Sequence, residues 1–171
     1  LGVLAVVAPA RAQSLDPEEI PPALRPWVPW VLAEDATYGC TAVGSAAGAD
    51  VAGDPICVWP TSLRIEVGPS GASFALELTS DREHAVELPG AGREWPTDVR
   101  IDGHATPVLA TAGVPVVFVD AGAHRVEGRI VWTEAPERLQ VPAGVARVLV
   151  VENGRTRVGA RDTDGAVWLE G

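Results

Sequence analysis

Three histidines, His84, His104 and His124, fall about twenty residues apart. Three imidazoles gathered in space can hold zinc. None of them has a second ligand at metal spacing, and each stands beside a turn or strand end, where a solvated histidine is expected. Asp162-Thr163-Asp164-Gly165 opens like a calcium loop, yet the distal bidentate Glu is missing, so a hairpin turn is expected there. Asp50 and Asp54 lie close together without a ligand ladder. Gly90-Ala91-Gly92 is too short to cradle phosphate. Paired carboxylates such as Asp16/Glu18/Glu19 and Asp162/Asp164 read as solvated turns. The chain lacks G-x-S-x-G, H-E-x-x-H, paired C-x-x-C, a P-loop and G-x-G-x-x-G. No catalytic residue, metal or cofactor is expected, and the chain is not expected to be an enzyme.

Two residue types remain that could do something specific. Cys40 and Cys57 are the only cysteines and enclose a Gly/Ala-rich loop, so one disulfide is expected if the chain is exported. Six tryptophans stand against one Tyr and two Phe. Exposed aromatic faces bind sugars, and Trp95, in the loop GAGREWPTD, is the candidate ligand-binding residue; capping of a sheet end competes with that role. Trp132 and Trp168 lie on strand patterns and are expected in the core. Leu24, Trp27, Trp30, Val31 and Leu32 form an apolar ridge that is expected to pack against a sheet.

The elements that must position these residues follow from pattern. Residues 1–12, LGVLAVVAPARA, read as the remnant of a signal peptide cut before Gln13. With no Met at the start and AVWLEG ending on a strand pattern, both ends are expected to be cut from a longer reading frame. Residues 13–60 form a segment of short helical turns, broken by prolines at 21, 22, 26 and 29, followed by the disulfide loop. The clearest turn is expected at about Pro29 to Glu34.

From residue 61 the period changes to two. SLRIEVG places Leu63, Ile65 and Val67 on one face and Arg64 and Glu66 on the other. Phe74, Leu76 and Leu78, then Val86 and Leu88, continue the inward set. The stretch Gly113 to Thr133 reads as the leading hairpin. Val114, Val116 and Phe118 alternate on its first arm; Val126, Gly128, Ile130 and Trp132 face inward on the second, with Arg125, Glu127 and Arg129 outward. Asp102-Gly103, Asn153-Gly154 and Asp164-Gly165 are turn signals. About seven short strands between Val58 and Trp132 suit an all-β, immunoglobulin-like antiparallel sandwich over residues 61–133. Residues 134–171 are expected to begin a second, truncated β unit after the linker-like Glu134-Ala135-Pro136-Glu137.

The net charge of −10 opposes nucleic acid and anionic lipid as partners. No run of apolar residues is long enough for a transmembrane segment. IPPALRPWVPWVL, the two cysteines, CVWP and AGAHRVEGRIVW together resemble the N-terminal region of large uncharacterised exported proteins of Gram-negative bacteria. That resemblance implies an envelope location, periplasmic or outer, with further β domains downstream, and implies no activity. Three functions compete. The leading one is a non-catalytic module, structural or protein-binding, whose partners are downstream domains or other envelope proteins. The alternative is a carbohydrate-binding module attached to a glycosidase or similar enzyme, which an exposed coplanar aromatic pair would favour. The third is an enzyme domain whose site assembles only in space.

Overall fold

The computed structural model describes residues 20–31, 40–44 and 52–169. The signal remnant, the carboxylates at 16, 18, 19 and 50, and Leu32 lie outside these. The chain divides into two compact units, Leu1–Tyr38 and Gly39–Gly171.

In the first unit a 3-10 turn, Arg25–Trp27, runs into one helical turn, α1 (Val28–Val31). Pro26 and Pro29 stand in the first turn of each, where a missing N–H costs nothing. The turn begins slightly before the expected Pro29 to Glu34. Leu24, Trp27, Trp30 and Val31 are exposed rather than packed in a core, Trp30 at 74%.

The second unit is β throughout its described residues. β1 (Thr41–Gly44) pairs antiparallel with β2 (Ala52–Ile56), inside the ring closed by the Cys40–Cys57 disulfide. Asp81 ties this ring to the body of the unit, accepting hydrogen bonds from the Thr41 amide (3.0 Å) and hydroxyl (2.9 Å).

Seven strands form the large sheet. They are β3 (Val58–Gly68), β4 (Gly71–Ser80), β6 (Pro96–Ile101), β7 (His104–Ala105), β10 (Gly122–Val131), β12 (Arg147–Glu152) and β13 (Arg155–Val158), in the order β13-β12-β3-β4-β10-β6-β7. A three-stranded sheet holds β9 (Val114–Val119) between β5 (His84–Glu87) and β8 (Leu109–Thr111), and β11 (Arg138–Gln140) pairs with β14 (Ala166–Trp168). Inward residues of both larger sheets, with Leu139, Val141, Val145 and Val167 from the C-terminal part, build one hydrophobic core. Among the described residues no helix is long and apolar enough to cross a membrane.

The inward faces of β3, β4 and β10 are as expected: Leu63, Ile65, Leu76 and Val126 are fully buried. Gly128 faces Phe74, whose ring fills the space a Cβ would need. The turns Asp102-Gly103 and Asn153-Gly154 have positive φ at both residues, as a type I′ hairpin requires.

In the second unit four expectations change. First, Gly113 to Thr133 is not a hairpin. β9 pairs with β5 and β8, whereas β10 pairs with β4 and β6, so the chain crosses between sheets at Asp120-Ala121. β10 and β4 are both ten residues long and pair without interruption from Gly122↔Ser80 to Val131↔Gly71, a ladder that the six-residue β9 cannot match. On β9 it is Val117 and Val119 that enter the core, while Phe118 is exposed. Apolar residues at 116 through 119 leave either parity open, and the Val86↔Val117 pairing decides it. Second, residues 134–171 do not start a separate unit. β12 lies parallel to β3, Val150 beside Ile65, so the sheet is mixed rather than wholly antiparallel. Third, the boundary expected at 60 cuts through β3, which begins at Val58. Fourth, Trp168 is exposed at 51%, while Trp132 is buried as expected.

Candidate functional site

The outward residues of β3, β4, β10 and β6 line the site. In a period-2 strand with one alternate set buried, the other set must face away. That rule puts Arg64 and Glu66 of β3, Ser73 and Ala75 of β4, and Arg125, Glu127 and Arg129 of β10 on one surface of the large sheet. They form an open trough of about 610 Å³, completed by Asp98 and Arg100 of β6. Its floor is small because β4 contributes Ser73 and Ala75 between taller neighbours.

The walls are ionic. Arg64 pairs with Glu66 at 2.9 Å, and Arg125 with Glu127 at 2.9 Å and with Glu77 at 3.4 Å. Arg129 reaches Asp98 only at 4.0 Å. Arg100 donates to the Gly103 carbonyl at 3.0 Å. Exposed pairs like these contribute roughly 0–1 kcal/mol each, so the trough is not a strong stabilising feature. Asp98 stands at φ 53, a left-handed backbone that Asp tolerates better than most residues. It belongs to a β-bulge, with Asp98 and Val99 together opposing Gly128 between the pairs Glu127↔Arg100 and Arg129↔Thr97. A bulge re-aims a side chain out of the ladder, and here it brings the Asp98 carboxylate to the trough. The lining holds no His or Cys. It offers charged hydrogen bonding, with the Ser73 hydroxyl on β4 opposite Glu66 of β3.

A second polar cluster joins the β6–β7 turn to the start of β10. Asp102 accepts from the Arg125 amide at 2.9 Å and meets His124 Nδ1 at 2.8 Å. His124 Nε2 lies 3.1 Å from the Asp120 carbonyl. The Arg125 N–H first, and His124 second, hold the Asp102 carboxyl below its ordinary range. The Asp81 carboxyl is lowered chiefly by the Thr41 hydroxyl, and that of Asp162 chiefly by the Ala166 amide. Asp162 also accepts from the Asp164 amide (3.0 Å) and from Arg138 (3.1 Å). Its carboxylate is thus spent on closing the turn in Asp162-Thr163-Asp164-Gly165.

Among the expected site residues, Cys40 and Cys57 are joined. Trp95 is half-buried just before β6 and takes no part in lining the trough. His124 is engaged by Asp102, His104 is exposed on β7, and His84 pairs along β5 with Val119 of β9. The structure gathers no metal-binding group of three or more His, Cys, Asp or Glu among the described residues. The exposed aromatic pair Trp27–Trp30 meets edge to face, at 84° and 6.5 Å. Arg138 covers the Trp168 ring at 5.5 Å.

The trough itself is not visible as a site in the sequence. Its parts are: charged residues alternate along SLRIEVG and HRVEGRIVW. What places them side by side is pairing between strands distant in the chain.

The sequence matches no protein-family model and no curated protein. Among solved structures, a two-domain M1 zinc metallopeptidase mutant bound to L-tryptophan aligns over 60% of this chain at 10% identity and a TM-score of 0.35. An M1 zinc metallopeptidase from Deinococcus radiodurans aligns over 63% at 12% identity and a TM-score of 0.36. The aligned part spans only 38% and 40% of those two chains. At this level of likeness the comparison assigns neither family nor activity.

Proposed function

We propose that this chain is a non-catalytic β-sandwich module of a larger exported envelope protein, with a structural or protein-contact role. The sandwich consists of the seven-stranded and three-stranded sheets over their common core. It is immunoglobulin-like in that the chain crosses between the two sheets; its strand order is its own. The disulfide supports an oxidising compartment, periplasm or outer envelope. Downstream domains or other envelope proteins are the partners.

The observation that carries the contact role is the open trough: a face spanning four strands, charged at its walls and small at its floor. The carbohydrate alternative calls for coplanar exposed rings. Trp27 and Trp30 stand at 84° and Trp168 lies under Arg138, so that alternative gains no support from them.

The test places a single thiol at Ser73 in the trough or, as a control, at Ser70 in the β3–β4 turn. Both positions are exposed in this chain, and the native cysteines are bonded to each other. In the intact exported protein the Ser73→Cys thiol should react with a maleimide much more slowly than the Ser70→Cys thiol. Equal rates would remove the contact role.

A further inference from the structure

We propose that two copies of this chain join edge to edge through β8, which pairs antiparallel with itself about a two-fold axis at Ala110. The contact goes beyond the role of the trough and does not use that face.

β8 is the last strand of the three-stranded sheet, and only one of its sides is paired, to β9. The turn between them is Ala112-Gly113, with φ of 51° and 83°, a two-residue type I′ hairpin. Residues that flank such a turn exchange their hydrogen bonds, so Thr111 bonds Val114 and, two residues on, Leu109 bonds Val116. Ala110 falls between them, opposite Pro115, and its N–H and C=O point away from β9. Pro115 has no N–H to offer, and its carbonyl takes the Leu88 amide on the β5 side at 2.9 Å. The free edge is open, since Leu109, Ala110 and Thr111 are all exposed. Such an edge is a template for another strand.

Charge decides which strand. Residues 105–119 hold no Asp, Glu, Lys, Arg or His, the longest such run among the described residues, on a chain of net charge −10. Within it Leu109 is 48% and Phe118 51% exposed, and the two lie diagonally on one face of β8 and β9. The other edge strands of the two larger sheets carry charge or histidine: Arg155 and Arg157 on β13, His84 and Glu87 on β5, His104 on β7. In a two-fold contact the same patch meets itself, so a charged residue near the axis faces its own like. β8 is the one of these edges that meets its copy without that repulsion. Ala110 then exchanges two backbone hydrogen bonds with Ala110 of the second copy, and Leu109 stands opposite Thr111 of the second copy. The two small sheets merge into one of order β5-β9-β8-β8-β9-β5. The paired edge is short, so the dimer forms and dissociates with concentration. Salt strengthens it, because salt screens the repulsion between two acidic chains.

Sedimentation equilibrium of the full chain should show a monomer–dimer equilibrium that moves toward dimer as salt rises. The Ala110 amide should exchange with solvent more slowly at high protein concentration than at low. Ala110→Pro removes the N–H that the second copy needs, at a position where an edge strand tolerates proline. It should weaken dimerisation at least tenfold, as expected for losing two backbone hydrogen bonds of about 1 kcal/mol each. Leu109→Glu, which sets like charges across the axis, should also weaken it. Val158→Glu adds the same charge at an exposed residue of β13 and should leave it nearly unchanged. A dispersed amide spectrum shows that each variant is folded. A monomer at every concentration up to about 1 mM, a dimer that survives Ala110→Pro, or equal weakening by Val158→Glu overturns the proposal. If the chain stays monomeric while the Ala110 amide is protected in the intact exported protein, a strand of another protein fills the edge and the second copy is ruled out as its occupant. None of these outcomes bears on the contact role of the trough.

Discussion

Ile130 and Arg129 are adjacent in the chain and have opposite fates. Ile130 is 1% exposed in the core, whereas the Arg129 side chain stands 69% exposed in the trough. Ile130→Ala should cost roughly 2–5 kcal/mol, through lost transfer energy and the cavity left behind. Arg129→Ala should cost well under about 1 kcal/mol. Urea unfolding of both beside the parent measures the difference, and a larger loss for Arg129→Ala would refute the register of β10. Gly128 repeats the logic in reverse. It lies on the inward face with no side chain because the facing Phe74 ring already occupies the place, a Cβ there falling 2.6 Å from it. The inward position of Gly128 could be read from alternation. That the neighbour is Phe74 depends on β10 pairing with β4. Trp168 shows where such reading stops. Ala166, Val167, Trp168 and Leu169 are apolar in succession, so neither parity is marked. Val167 and Leu169 enter the core, and Trp168 is turned outward beneath Arg138.

Elements are held by contacts that join distant parts of the chain. The Cys40–Cys57 bridge spans 17 residues and encloses the β1–β2 pair. Replacing both cysteines by Ser should lower stability by about 3 kcal/mol, the loop-closure entropy of such a ring. The bond itself is checked by mass spectrometry of exported protein with and without reductant. Two free thiols in material from an oxidising compartment would contradict it. The β6–β7 turn is held by Asp102, whose folded carboxyl is depressed by the Arg125 amide and then by His124. A depressed folded value means that its contribution is present above the unfolded value of about 3.9 and is lost as pH falls through the folded one. The gap in Tm between the parent and Asp102→Asn should therefore be widest near neutrality and close as the pH falls below about 4. A gap that instead persists unchanged to pH 2 would mean that ionised Asp102 is not what holds the turn. Asn keeps the tolerance for the positive φ of 51° at this position, so the variant tests the charge rather than the backbone.

At the scale of the whole molecule, the C-terminal stretch belongs to the main body. β12 covers one edge of β3, and Leu139, Val141, Val145, Val148, Val150, Val167 and Leu169 are part of the common core. Removing residues 134–171 should abolish cooperative unfolding of what remains, seen as a broad urea transition and loss of near-ultraviolet dichroism. A sharp transition in the shortened chain would restore the separate second unit that the linker-like Glu134-Ala135-Pro136-Glu137 suggests. The same stretch shows what a linear reading misses. A parallel pair needs a long crossover, and local pattern says nothing about which edge a strand returns to after one.

By itself the sequence determined the local facts: which residues of β3, β4 and β10 face inward, where Asp102-Gly103 and Asn153-Gly154 turn, and which two cysteines could bond. Those follow from side-chain alternation, from backbone stereochemistry at positive φ, and from there being one possible pair, all properties of short segments. Only the tertiary structure decided that β9 and β10 part at Asp120-Ala121, that β12 lies along β3, and that Arg100 and Arg129 come to neighbouring strands over one trough. Each of these is a competition among strand edges far apart in the chain. It is won by the longest well-matched ladder and the most complete core, and no single segment carries that information.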